Sequence, residues 1–93
     1  MLEAAHVVPV SKGGSDDPRN GILLSASHHR AFDRQLWSIN PTTLAIETAP
    51  GGPSLEKMKF TRKSVEHLAE LRCLPHKSAL EVNYELFREA SGL

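Results

Sequence analysis

Two short apolar runs, held apart by a stretch that only a loop can accommodate, constrain the first third of this chain. Leu2-Glu3-Ala4-Ala5-His6 leads into Val7-Val8-Pro9-Val10. Residues 11–19, SKGGSDDPR, are dense in Gly, Ser, Asp and Pro, whose backbone preferences favour turns over a ladder. Asn20-Gly21 then hands over to Ile22-Leu23-Leu24. The β-branched valines predict a strand over 2–9, with Pro9 at its end or on a sheet edge. The second run predicts a short antiparallel partner. Ser25 or Ser27 is placed to cap a helix over 27–35. On that helix His29 and Asp33 stand at i and i+4 and share a face. An imidazole and a carboxylate pointing the same way is what a divalent metal needs from one helix. The bland reading of the same two residues is a surface pair worth a few tenths of a kcal/mol.

The flanking text decides between these readings. His6, Asn20 and His29 stand at an H-N-H spacing, with Gly13-Gly14, Asn20-Gly21 and Phe32-Asp33 in their places around them. AAHVVP precedes the loop, GGSDDPRNG runs through it, and HHRAFDRQLW follows. Over about residues 3–39 the chain resembles the HNH endonucleases, most of all the branch reading AHI-P…NG-L…HH-FD. The resemblance implies an α+β fold. A ββα-metal (His-Me finger) core over about 3–36 would be followed by a β-hairpin and two C-terminal helices, the whole chain forming one domain. It also implies a metal-dependent DNA endonuclease with one divalent ion, Mg²⁺ first and Mn²⁺, Ni²⁺ or Zn²⁺ after it.

The same resemblance gives His6, Asn20 and His29 as the catalytic set. His6 would be the general base, since a histidine's ordinary pKa lets it accept a proton at neutral pH. Asn20 would tie the loop and fix the His6 ring. His29 and Asp33 would ligate the metal, and Arg30, Arg34, Lys12 and Arg19 would meet DNA phosphates. Two positions depart from the pattern. Ala5 stands where many relatives place a further metal ligand. Ser25 and His28 stand where others carry a cysteine pair for structural zinc, so His28 is expected to face away from the metal. The alternative is a catalytically weak HNH-like module that binds nucleic acid or a protein. The chain opens almost on top of the motif, which leaves an upstream specificity domain or a homodimer open.

Composition narrows the rest. Ninety-three residues with 40% apolar content make one domain with a modest core. Eleven basic residues balance eleven acidic ones, which argues against broad non-specific phosphate binding but not against a local patch. One cysteine, Cys73, excludes an internal disulfide framework and a CxxC zinc site. No apolar run approaches the roughly 18 residues of a membrane span, and the N-terminus lacks a signal-peptide pattern, so the expected location is cytoplasmic.

Further along, Asn40-Pro41-Thr42 predicts the turn of a hairpin over 36–47. Pro50-Gly51-Gly52-Pro53 reads as a flexible joint. Leu55 to Phe60 alternates apolar and charged, which predicts a short strand. Thr61 to Leu71 has Val65, Leu68 and Leu71 at helical spacing, and Pro75 stops it. A last helix over 78–91 presents Leu80, Tyr84 and Phe87 on one stripe, with Gly92 as terminator. This last third carries no chemical motif and is expected to be scaffold.

Overall fold

The structure, a computed structural model, describes residues 2–9, 13–14, 20–65 and 75–92. Lys12, Arg19, Cys73, most of the expected loop over 11–19 and the expected helix beyond Val65 lie outside them. The described residues form a small mixed α/β fold with two antiparallel hairpin-like sheets and two helices.

The first sheet pairs β1 (Leu2–His6) with β2 (Gly21–Ser25), in a register that sets Ala5 opposite Ile22 and His6 opposite Gly21. Strand side chains alternate between faces, so Ala5, Ile22 and Leu24 turn to the core while Leu23 is left exposed. The strand is shorter than the expected 2–9. Val7 and Val8 bend away, and Asn20 takes over their hydrogen bonding. The loop comes close to the backbone after β1 at Gly14. A Cβ there would fall 1.8 Å from the Val8 carbonyl oxygen, so only glycine fits.

Ser25 caps α1 (Ala26–Asp33), its Oγ accepting from the His28 backbone N–H. The helix ends two residues before the expected Gln35. Gln35 instead sits at φ +61°, its N–H bonded to the Phe32 carbonyl, and the Leu36 N–H reaches back to Ala31. This pair of bonds is a Schellman ending, with a glutamine in the left-handed position that usually falls to glycine.

The second sheet pairs β3 (Trp37–Ile39) with β4 (Ile46–Thr48). Asn40 makes the turn: its backbone carbonyl accepts from Leu44 N–H and its side chain from the N–H groups of Thr42 and Thr43. Two expectations fail beyond it. Residues 55–59 are turns rather than a strand, because Ser54 caps them through both its carbonyl and its hydroxyl, placing Leu55 and Met58 at helical spacing against the core. Residues 61–65 are not helical. Ser64 bridges Ala45, and Ile46 and Val65 exchange backbone bonds with Lys63 and Leu44, so this segment lies along β4. Val65 is buried by that pairing.

The last helix, α2 (Lys77–Ser91), ends on left-handed Gly92 as its sequence predicts. Its buried stripe is Leu80, Asn83 and Phe87; Tyr84 is only half-buried, and its hydroxyl donates to Glu47 at 2.7 Å. The core gathers Ala5, Val7, Ile22, Leu24, Phe32, Trp37, Ile39, Ile46, Val65 and Leu80, joining both sheets to both helices.

Candidate functional site

Phe32 aims the site. It is 2% exposed and packs on Trp37 with ring centroids 4.7 Å apart, which pins α1 to the second sheet. With that face of the helix committed, the next residue, Asp33, is turned outward and lies exposed. His29, one turn earlier, stands over it: His29 Nε2 is 3.2 Å from Asp33 Oδ2. The neighbouring His28 is turned elsewhere. Its ring stacks on Phe60 at 4.1 Å, and Nε2–H donates to the Met58 carbonyl at 2.6 Å. Successive helical residues are about 100° apart, which is why the two histidines face different surroundings.

The other edge of the His29 ring meets β1. Nδ1 is 2.9 Å from Glu3 Oε1, so the imidazole lies between two carboxylates. A neutral imidazole carries one N–H and one lone pair. It can donate to one carboxylate only, and the lone pair then faces the oxygen of the other. A cation at the Asp33 edge converts that repulsion into ligation, while Glu3 holds the remaining N–H. Histidine ligands commonly donate their second nitrogen to a carboxylate in this way. The 3.2 Å separation of Nε2 and Oδ2 is also close to the roughly 3 Å between two adjacent octahedral ligands at about 2.1 Å from one ion. The residues present therefore fit a divalent cation. Among the described residues no set of three His, Cys, Asp or Glu side chains is grouped as metal ligands. Glu3 was not singled out by the sequence; its signal is its place in β1 on the face shared with Ala5.

His6, His29 and Asp33 line one cavity of about 370 Å³, together with Pro9, Phe32, Gln35 and Asn83. His6 enters from the end of β1 and is exposed. Asn20 is buried and grips the backbone after His6: its Oδ1 accepts from Val8 N–H at 2.8 Å, its Nδ2 donates to the Val8 carbonyl at 3.1 Å, and its own carbonyl accepts from Val7 N–H. Arg30 and Arg34 are exposed on and just beyond α1 and do not line the cavity. Ala5 is 1% exposed within the core, so no ligand stands at that position. Asn83 was missed altogether by a reading that took the last third as scaffold.

No curated protein and no solved structure matches this chain. Residues 1–40 match the family model described as HNH endonuclease. That segment holds His6, Asn20, His29 and Asp33, and over it the chain is similar to the HNH endonucleases.

Proposed function

We propose that the protein is a metal-dependent DNA endonuclease built on a ββα-metal core, with the 93 residues acting as one domain. The observation that carries this reading is the single cavity lined by His6, His29 and Asp33. In this reading His29 and Asp33 hold one divalent ion, and Glu3 orients the His29 ring. Water and phosphate oxygens complete the coordination shell, which suits Mg²⁺, an ion that keeps its waters, better than tightly held Zn²⁺. When bound, the ion supplies charge neutralisation at the scissile phosphate and stabilises the departing 3′ oxygen. His6 takes the proton of the attacking water as the new P–O bond forms. Asn20 holds the backbone that carries His6. Arg30 and Arg34, with Lys12 and Arg19, meet flanking phosphates.

A second reading, an HNH-like module that binds nucleic acid or a protein without cutting, is favoured by one observation: buried Ala5 supplies no third ligand. Nicking of supercoiled plasmid in Mg²⁺, Mn²⁺, Ni²⁺ or EDTA separates the two. The nuclease relaxes plasmid only with metal. The binding module shifts DNA in a gel and leaves it intact, and that result would sink the nuclease reading.

A further inference from the structure

The bend that follows His6 is outside any strand, yet its polar backbone is fully engaged. The Val7 N–H donates to the Asn20 carbonyl, the Val8 N–H to Asn20 Oδ1, and the Val8 carbonyl accepts from Asn20 Nδ2. The fourth group, the Val7 carbonyl, accepts from Asn83 Nδ2 at 2.7 Å. Two asparagines from distant parts of the chain thus account for every backbone polar group of Val7 and Val8. Asn83 is itself locked, since its Oδ1 accepts from Ser38 Oγ at 2.5 Å. Asn83 is 4% exposed, while Ser38 and Val7 are fully buried, so water does not compete for these bonds.

An amide on the buried stripe of α2, between Leu80 and Phe87, is not what packing alone selects. An apolar side chain there would bury more favourably and would leave the Val7 carbonyl without a donor. Asn83 also lines the cavity that His6 enters. We propose that Asn83 is a positioning residue for His6: through the Val7 peptide it fixes the direction in which the imidazole enters the cavity. This rests on the reading of His6 as the general base, and it gives α2 a part in the site although α2 lies outside the matched residues 1–40.

The test compares Asn83→Leu and Asn83→Asp with Phe87→Leu, a change on the same buried stripe at a residue that does not line the cavity. All are assayed well below their melting temperatures. Displacing a catalytic group by about 1 Å can reduce rate on the order of 100-fold. The Asn83 variants are expected to lose about 10- to 100-fold in kcat, with KM for plasmid and the half-saturating metal concentration unchanged; Phe87→Leu keeps its kcat. In metal-free protein the ring NMR signals of His6 are expected to move in the Asn83 variants while those of His29 stay in place. Asn83→Asp keeps the shape and the acceptor for Ser38, so it serves if Asn83→Leu does not fold. A folded Asn83 variant with wild-type kcat and unmoved His6 signals overturns the proposal. If His6→Ala still cuts at the wild-type rate, the general-base reading fails instead, and the NMR shifts alone decide whether Asn83 governs the His6 ring.

Discussion

At His29 one imidazole meets two carboxylates, and the three side chains divide into different jobs. In the proposed reading Asp33 and the Nε2 edge, 3.2 Å apart, are offered to a cation, and Glu3, 2.9 Å from Nδ1, takes the other edge. As a bare ion pair the arrangement is worth little, because Glu3 and Asp33 are half or more exposed and screened by water. Its value lies in orientation. Glu3→Ala is expected to weaken metal binding by about 10- to 100-fold, the usual effect of losing a partner behind a histidine ligand, with kcat restored at saturating metal. His6→Ala is expected to reduce cleavage by about 10² to 10⁴-fold while metal and DNA binding persist. His29→Ala and Asp33→Ala should instead raise the metal concentration needed. Cleavage rate titrated against metal for each variant reads these roles directly. Rescue of His6→Ala by metal, with none for His29→Ala, would exchange base and ligand. Gln35 tells a separate story, that of a left-handed residue with a side chain. Its Oε1 is buried without a partner among the described residues. Gln35→Gly removes both burdens and is expected to raise stability by up to about 1 kcal/mol, seen as a Tm higher by several degrees.

Among the elements, α1 has the narrowest support for its task. Eight residues are too few for a helix to stand alone in water, so its place depends on the Ser25 cap, the Phe32–Trp37 contact and the hold on His28. The His28 carbonyl accepts from Trp37 Nε1–H at 3.1 Å, while its ring is pinned by Phe60 and Met58. The turn over 55–59 therefore matters to the site although it never touches the cavity: it fixes the residue before His29. Ser25→Ala should cost about 0.5–1 kcal/mol by thermal unfolding, toward the low end for a cap because the bond is long at 3.3 Å. An unchanged melting temperature would show that packing alone holds the helix start.

Over the whole molecule, charge neutrality and a small shared core set the expectations. If phosphates are met by the four proposed cations, Lys12, Arg19, Arg30 and Arg34, log affinity for DNA against log salt should have a slope of about −4 or shallower. A much steeper slope would reveal phosphate contacts elsewhere. Phe87 is fully buried on α2 and is not among the residues that line the cavity. Phe87→Ala is expected to cost about 3 kcal/mol of stability and to spare cleavage below its melting temperature. Loss of cleavage with an unchanged melting temperature would instead assign the helix to DNA.

The sequence by itself determined what is local. The second strand and the capped helix were legible from Ile22 and Ser25, because apolar runs and capping chemistry act over a few residues, whereas the valines that read as strand lie past the end of β1. The i,i+4 placement of His29 and Asp33 followed from helix geometry alone. Tertiary structure decided the rest. Leu55–Phe60 alternates like a strand, but Ser54 and the need to cover His28 and Trp37 fold it into turns. Thr61 to Leu71 reads as helix from the spacing of Val65, Leu68 and Leu71, but the edge of β4 claims residues 61–65. Asn83 gives no signal at its own position, and Glu3 only its place on one face of β1, since each acts on a partner far away in sequence: Val7 and Ser38 for Asn83, His29 for Glu3. A hydrogen bond across 76 positions has no periodicity, so only the packing of α2 against β3 and the end of β1 could reveal it.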